Sequence, residues 1–404
     1  MNNIAAVELS TIQKANAEAR KLGTIDIREY ALRNPQKWPS GFLQEVLSQY
    51  QFLKKLELKL PLLAQQAELL GAENINIEQS TSEEVARFKF NGLRLKNTLD
   101  LTGGFGIDSY FLSHQSERHI YCETNENLVP VVKYNFQKLG ISNTVFFQKE
   151  AEEFLKETKE SFDLIYLDPD RRNAENSKLV LIEVCSPNVL DLQEIFLQTG
   201  KEVWVKYSPL LDITRAANQL QGVYEILIIA VKNDVKEILF KIKPNISTSA
   251  YRIRAVNLNT RTSQEFEFSK DQEIQANATL GEVSNFLYEP NAALMKSGAF
   301  NLISERFQLK KLATHTHYYS ADFCLTDFPG KVFKVNGVWN PSQKNLKKWA
   351  GEAFHVLARN YPLKPETIRQ KYRLRDGGTD FLIFTTDYKN QKIVIHCTKI
   401  PDHE

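Results

Sequence analysis

The chain has no long apolar run. Its longest apolar stretch, around Ile226–Val231, is far shorter than the roughly 18 residues that a membrane-spanning helix needs. The first 23 residues mix charged side chains with Ala and Leu, and they lack the apolar core and the cleavage site of a secretory signal peptide. We therefore expect a cytoplasmic protein with no membrane partner.

Cysteine is scarce and widely spaced. No two cysteines form a C-x-x-C pair, and the four are Cys122, Cys185, Cys324 and Cys397. This spacing argues against a disulfide framework and against a zinc site, and it fits a reducing cytoplasm. His315 and His317 lie two residues apart, but no third ligand is near them in the sequence. We expect no bound metal.

Net charge is small, at +2, but its distribution is uneven. Residues 1–240 contain 27 basic and 33 acidic side chains, whereas residues 241–404 contain 24 basic and 16 acidic ones. Most of the positive excess lies in residues 331–404, with 14 basic and 7 acidic side chains. This asymmetry indicates an acidic partner such as nucleic acid, and a solvated basic surface is the alternative.

The 404 residues suggest two or three domains, and the sequence contains no internal repeat. Residues 1–95 are predicted to be a helical N-terminal region, because apolar side chains recur there at three- and four-residue spacing. The repeating positions are Leu43, Val46, Leu47, Tyr50, Leu53 and Leu56.

Residues 96–245 alternate short apolar strands with helices, which predicts a doubly wound, mostly parallel sheet. The predicted strands are Thr98–Leu101, His119–Cys122, Val145–Phe147, Asp163–Leu167, Val203–Val205, Glu225–Ala230 and Glu237–Phe240. The last two lie close enough in sequence to form an antiparallel hairpin at the end of the sheet. Residues 246–330 and 331–404 are predicted to form two small α+β modules, with helices at Ala292–Leu302 and Lys344–Leu357.

A glycine-rich turn follows the first predicted strand. The turn consists of Thr102, Gly103, Gly104, Phe105 and Gly106, and Asp100 lies two residues before its start. Glycines let a backbone approach a ligand closely, but the third glycine of the dinucleotide fingerprint is absent. A carboxylate beside the loop repels a pyrophosphate and attracts the ammonium and sulfonium groups of S-adenosylmethionine.

Acidic residues also end the next three strands. Glu123 can accept hydrogen bonds from the hydroxyls of a ribose. Glu150 and Ala151 can hold an adenine edge through a carboxylate and a backbone N–H. Asp168 opens the sequence Asp168-Pro-Asp-Arg-Arg at the edge where such sheets bind ligands. Together these positions predict a cofactor site, although each carboxylate alone could be a helix cap.

This order of motifs resembles the class I S-adenosylmethionine-dependent methyltransferases. A closer likeness is to a bacterial group of RNA methyltransferases with a C-terminal THUMP-like domain. The residues that carry it are Gln79–Lys89, Asp100–Gly106, Leu167–Arg172, Val205–Asp212, Tyr288–Asn291, Asp327–Gly330 and Arg359–Pro362. The resemblance implies a Rossmann-like seven-stranded domain, ferredoxin-like or THUMP-like C-terminal modules, S-adenosylmethionine as the cofactor and RNA as a partner. This chain has Asp170 where the group usually has alanine.

Methyl transfer requires that the protein align a nucleophile and accept or relay its proton. Asp168 is the main candidate for that role, and capping of the following turn is the alternative. Arg171 and Arg172 are candidates to contact a phosphate or a guanine edge, unless they pair with Asp170 or Glu175. No aromatic residue lies between Asp168 and Arg172, which argues against an adenine amine as the target.

Further basic residues are candidates for substrate binding. Lys206, after the fifth strand, could contact a phosphate or could be a solvated strand end. Four basic residues occupy every second position of one segment, so on a strand they would share one face. They are Arg369, Lys371, Arg373 and Arg375. We expect methylation of a tRNA or rRNA base. The alternatives are a protein or small-molecule methyltransferase and an RNA-binding module whose cofactor site is only structural.

Overall fold

The protein is described from a computed structural model, which covers residues 2–66, 68–72, 77, 80–171, 181–246, 251–259 and 263–401. The chain forms two compact units. The first contains Met1–Val223 and Leu239–Thr248, and the second contains Tyr224–Ile238 and Ser249–Glu404.

The first unit begins with helices, as predicted. They are α1 (Asn2–Lys21), α2 (Ile27–Arg33), α3 (Ser40–Lys59), α4 (Pro61–Gln66) and α5 (Glu83–Phe90). The apolar face of α3 is buried through Val46, Tyr50, Leu53 and Leu56. These side chains share one core with residues of the glycine turn and of the helices that follow it, including Phe105. The helical region therefore packs on the α/β part of the same unit.

The α/β part follows the predicted alternation. Its elements are β1 (Leu95–Asp100), α6 (Ile107–Ser113), β2 (Ser116–Glu123), α7 (Leu128–Lys138), β3 (Thr144–Gln148), α8 (Ala151–Glu157), β4 (Leu164–Leu167), β5 (Asp170–Arg171), β6 (Cys185–Ser186), α9 (Val189–Thr199), β7 (Val203–Tyr207) and α10 (Ile213–Gln219). The strands lie in the order β7-β4-β1-β2-β3, and each neighbouring pair is parallel. The carboxyl ends of β1, β2, β4 and β7 therefore meet at one edge, where open α/β sheets bind ligands.

The predicted hairpin is present as β8 (Val223–Val231) and β9 (Asp234–Ile242). Its two-residue turn, Lys232-Asn233, has positive φ at both positions, as a tight hairpin requires. The expectation that this hairpin ends the sheet is wrong. β8 pairs in parallel with β10 (Arg252–Leu258), which pairs antiparallel with β11 (Ser263–Ser269). Burial of Ile253, Ala255 and Val256 on β10 favours this extension.

The rest of the second unit surrounds a seven-stranded sheet. Its elements are α11 (Lys270–Gln275), β12 (Phe286–Pro290), α12 (Ala292–Ser297), α13 (Phe300–Arg306), β13 (Lys310–Lys311), β14 (Tyr319–Ala321), β15 (Gly330–Trp339), α14 (Gln343–Leu346), β16 (Ala353–Ala358), α15 (Pro365–Tyr372), β17 (Arg375–Thr386) and β18 (Lys392–Lys399). The strand order is β13-β14-β12-β15-β18-β17-β16. The mixture of strands and short helices agrees with the predicted α+β class.

Two local predictions in this unit are wrong. The helix expected over Lys344–Leu357 ends early, because Gly351 has φ 89° and β16 begins at Ala353. The alternating basic residues also do not share a strand. Arg369 and Lys371 lie on α15, Arg373 is its left-handed C-terminal cap with φ 55°, and Arg375 begins β17.

The reason for the second difference is the helical spacing of apolar side chains. Pro365 occupies the first turn of α15, and Ile368 and Tyr372, four residues apart, are both buried. Lys371, Arg373 and Arg375 are nevertheless exposed, because the residues between them, Tyr372 and Leu374, turn inward. Three of the four basic side chains therefore reach solvent.

Within the described part of the chain, none of the helices has both the length and the apolar character needed to cross a membrane.

Candidate functional site

The glycine turn between β1 and α6 is organised by Asp100. This side chain is 1% exposed, and its carboxylate accepts hydrogen bonds from the backbone N–H of Thr102 (3.0 Å) and the hydroxyl of Ser109 (2.6 Å). Burial raises the pKa of Asp100 to about 7, although both hydrogen bonds oppose the rise. A cation placed near the loop would stabilise the ionised form.

Two glycines are required by the geometry of this turn. A Cβ at Gly103 would lie 2.2 Å from the ring of Tyr121, so no larger residue fits there. Gly104 has φ 52°, and a Cβ there would meet no atom closer than 3.7 Å. The backbone of Gly104 therefore lies against open space, where a ligand can approach it.

This loop forms one wall of a cleft of about 290 Å³ at the carboxyl edge of the sheet. The cleft contains the predicted cofactor residues from the ends of β1, β2 and β4 together with side chains from the segment before α5, from α6 and from β7. Its lining includes Ser80, Thr81, Asp100, Thr102, Gly103, Gly104, Phe105, Gly106, Ile107, Asp108, Glu123, Asn125, Leu128, Tyr166, Asp168, Asp170 and Lys206.

Glu123 ends β2 beside the loop. Its Oε2 accepts the N–H of Gly104 (2.9 Å), and its Oε1 accepts the N–H groups of Thr124 and Asn125 (2.9 Å each). A carboxylate has about four acceptor positions. The Oε2 atom can therefore accept one further hydrogen bond from a hydroxyl in the cleft.

Asp168 directly follows β4, which lies on the other side of β1 from β2. Its backbone N–H donates to the hydroxyl of Thr102 (2.6 Å), which ties β4 to the glycine turn. Its side chain is 38% exposed toward the cleft, and its Oδ2 forms an ion pair with the ammonium of Lys206. Desolvation raises the pKa of Asp168, and the ion pair opposes the rise.

Lys206 belongs to a buried charge network that the sequence did not reveal. Its side chain is only 9% exposed, so the alternative of a solvated strand end is wrong. The ammonium also donates to the hydroxyl of Thr81 (3.0 Å) and lies 3.6 Å from Oδ2 of Asp108. Contacts with Thr81, Asp108 and Asp168 therefore hold the Lys206 ammonium in place.

Asp108 is the centre of this network. Its Oδ2 accepts hydrogen bonds from Thr81 and Tyr166 (2.8 Å each), and its Oδ1 lies 2.9 Å from the ammonium of Lys89. The Lys89 side chain is fully buried and also donates to the Tyr166 hydroxyl (2.9 Å). Burial disfavours the charge of Asp108, but the two lysines outweigh it and hold its pKa well below the ordinary value.

Ser80-x-x-Glu83 has the sequence of a capping box, but it does not cap α5. The helix begins at Glu83, and its N-cap residue is Ser82. The Ser80 hydroxyl donates to the carbonyl of Ile77, and Glu83 accepts the N–H of Leu62 (3.0 Å). Ser80 and Thr81 of this segment line the cleft beside the glycine turn.

The structure does not place every predicted residue in the cleft. Glu150 is the N-cap of α8 and Ala151 is its first residue, and neither is among the residues that line it. Arg172 lies outside the described residues, and only the backbone of Arg171, on β5, is described. The four C-terminal basic residues belong to the second unit. Their predicted functional roles stay predictions.

Three aromatic residues near the site pack against other aromatic rings. Trp204 is buried in the core and stacks on Phe90 at 5.9 Å. Tyr207 packs edge-on against Phe240, and Phe105 packs against Phe52 while also lining the cleft.

Comparison with known protein families adds three matches. A family described as conserved hypothetical protein 95 matches residues 76–208, which include every residue that lines the cleft. A ferredoxin-like domain matches residues 286–329, and a THUMP domain-like family matches residues 330–399.

Two relatives extend this result. A crystal structure of a putative methyltransferase from Porphyromonas gingivalis W83 is 27% identical, with a TM-score of 0.88, and the match covers 98% of this chain and 99% of that one. An uncharacterized RNA methyltransferase of Mycoplasma mobile is 26% identical over 118 residues. That match covers 28% of this chain and 32% of the relative, so the chain spans about a third of the relative's length. These findings confirm the predicted resemblance and fold class.

Proposed function

We propose that this protein transfers the methyl group of S-adenosylmethionine to a base of RNA. The observation that carries the proposal is the cleft, in which the glycine turn, Glu123 and Asp168 converge at the carboxyl edge of a parallel sheet. The chain's resemblance to methyltransferases supports the reaction. The name of the Mycoplasma mobile relative and the THUMP-like match support RNA as the substrate.

The residues of the cleft fit S-adenosylmethionine. The Gly104 backbone permits close approach, and Oε2 of Glu123 has room for a ribose hydroxyl. Asp100 lies under the loop, where its carboxylate attracts a positively charged ligand. When bound, the cofactor supplies an activated methyl group. The protein has to orient the nucleophile and hold its proton.

We assign to Asp168 the role of binding and orienting the nucleophile of the substrate. Its carboxylate opens into the cleft beside the glycine turn, where it can accept a hydrogen bond from an N–H or O–H of the substrate. Such a bond orients the attacking atom. It also provides an acceptor for the proton that this atom loses after transfer. We assign substrate contacts to Arg171 and Arg172 because they lie three and four residues after Asp168 in the sequence.

The substrate class can be tested with RNA from cells that lack this protein. Purified protein and radiolabelled S-adenosylmethionine are added to total RNA and, separately, to total protein from those cells. We expect label in RNA that nuclease releases and protease does not. Label confined to the protein fraction would instead favour a protein methyltransferase, and label in small molecules alone would favour a small-molecule enzyme.

Glu123→Ala is expected to weaken binding of S-adenosylmethionine. Loss of the hydrogen bond to the ribose should cost roughly 1–3 kcal/mol, because a buried hydroxyl then lacks its acceptor. Isothermal titration calorimetry on both proteins measures this difference. Glu126→Ala, an exposed change three residues away, is the control and should leave affinity unchanged. Equal affinities for wild type and Glu123→Ala would refute the ribose assignment.

The exposed basic residues of the second unit are expected to bind RNA phosphates. Lys371, Arg373 and Arg375 all reach solvent, whereas Arg369 pairs with Asp376 (3.3 Å). Replacing the three exposed residues by Ala should make RNA affinity less dependent on salt. Each lost phosphate contact lowers the slope of log K against log salt by about 0.7–0.9.

Filter binding from low to physiological salt provides this measurement. The matched control replaces three exposed lysines of the first unit, Lys133, Lys156 and Lys159, by Ala. It removes the same charge and should leave the slope closer to that of wild type. An unchanged slope in the first triple variant would exclude these side chains from the RNA interface.

A further inference from the structure

The buried network beside Asp168 is more elaborate than the packing of a strand end requires. Two lysines and one aspartate are brought together from three elements, at a substantial desolvation cost. Burial of unpaired charges would be far more costly, and here every charge has a partner of opposite sign. Among the charged side chains of the network, Asp168 is the most exposed to the cleft, at 38%, whereas Lys206 and Asp108 are 9% and 10% exposed.

Lys206 is the link between the buried part and Asp168. Its ammonium can donate three hydrogen bonds. One goes to Oδ2 of Asp168, one goes to Thr81 (3.0 Å), and Oδ2 of Asp108 lies 3.6 Å away. With these partners the ammonium is not directed toward an incoming phosphate.

We propose that Lys206 is a positioning residue, which holds the Asp168 carboxylate in place and negatively charged for the substrate, and that it does not bind RNA phosphate. The inference rests on the proposed role of Asp168 in the reaction. Thr81 and Asp108 fix Lys206, and Lys89 and Tyr166 fix Asp108 in turn.

The charges around Asp168 explain why such a residue is needed. Desolvation raises the pKa of Asp168, and the negative charge of Asp108 adds to the rise. The cation of Lys206 is the largest opposing influence, with Lys89 contributing less. The other titratable groups that line the cleft are Asp100, Glu123, Tyr166 and Asp170. Without Lys206, Asp168 would be surrounded mainly by carboxylates and would hold a proton at higher pH.

The pKa of Asp168 can be measured directly in the full-length protein by carbon-13 NMR with carboxyl-labelled aspartate. The spectrum of Asp168→Asn identifies the signal. Lys206→Met should raise the pKa of Asp168 by about 1–3 units, because a cation in contact with a carboxylate lowers its pKa by that amount. Lys206→Arg keeps the charge and should restore most of the difference.

The matched control is Lys201→Met. Lys201 precedes the same strand and pairs with Asp163 (2.7 Å), but its side chain is 75% exposed. It should leave the pKa of Asp168 unchanged. This readout needs no substrate, so it decides the inference even if the protein does not methylate RNA. An unchanged pKa in Lys206→Met, in a variant that unfolds cooperatively, would overturn the proposal.

Kinetics on RNA provide the second readout. If Lys206 positions Asp168, Lys206→Met should lower kcat. The acid limb of its pH profile should also move to higher pH by about 1–3 units, as the pKa of Asp168 does. Activity should partly recover at high pH. A phosphate contact predicts instead a raised KM for RNA, a lower salt dependence and an unshifted pH profile, and this result would overturn the proposal.

Discussion

Replacing Asp168 by asparagine is expected to lower the rate of methyl transfer by about 100-fold or more, since a positioned proton acceptor contributes roughly 10²–10⁴ in rate. Affinity for S-adenosylmethionine should remain nearly intact, because the glycine turn and Glu123 do not depend on the Asp168 side chain. The hydrogen bond from Asp168 to Thr102 uses the backbone N–H and survives the change. Single-turnover assays and calorimetry on the same preparation measure the two quantities.

Two further variants make this result specific. Asp168→Ala should be as inactive as Asp168→Asn, because both remove the acceptor oxygen that is charged. Asp191→Asn is the matched control, since Asp191 is exposed in the first turn of α9. Near-normal transfer by either Asp168 variant would mean that this residue only caps the turn before Pro169.

Asp108→Ala is expected to be strongly destabilising, by about 3–5 kcal/mol in the free energy of unfolding. The change leaves two buried ammonium groups, those of Lys89 and Lys206, without their shared counter-charge. It also removes the acceptor for the hydroxyls of Thr81 and Tyr166. Urea denaturation followed by circular dichroism measures the loss.

An exposed ion pair provides the comparison. Glu160 pairs with Arg118, and their side chains are 44% and 41% exposed. Glu160→Ala should cost less than about 1 kcal/mol, because solvent screens such pairs. If Asp108→Ala proved no more destabilising than Glu160→Ala, the buried network would not be a structural element of the site.

The succession of strands along the chain and the glycine turn could be predicted because their signals are local. A run of apolar residues, a carboxylate and a glycine lie next to one another at Leu99–Gly106, and sheet topology then brings Glu123 and Asp168 to the same edge. Such a prediction needs no knowledge of side-chain packing.

The charge network could not be predicted in the same way. Lys89, Asp108 and Lys206 are separated by many residues, and nothing in their neighbouring sequence marks them as partners. Asp108 and Lys89 resemble ordinary polar residues of short helices until α5 packs against α6. The pairing is a property of tertiary structure, and the unusual burial of both Lys89 and Lys206 identifies it.

The basic residues of the second unit differ from their predicted positions on a strand for another reason. Their alternation imitates a strand, but Pro365, Ile368 and Tyr372 have the spacing of a helix that ends at Arg373. The buried residues determine the element, and the exposed ones then take the positions that remain.

The border between the ferredoxin-like and THUMP-like segments, at residues 329 and 330, falls inside a single hydrogen-bonded sheet. β15 begins at this border, and it pairs with β12 on one side and with β18 on the other. An ion pair of 2.8 Å between Glu289 and Arg359 also joins the two segments. A fragment that started at residue 330 would leave one edge of β15 without its partner and open to association with other chains. Transfer of the THUMP-like segment to another protein would therefore need a cut before Phe286. The two segments should be kept together in any engineered or recombined protein.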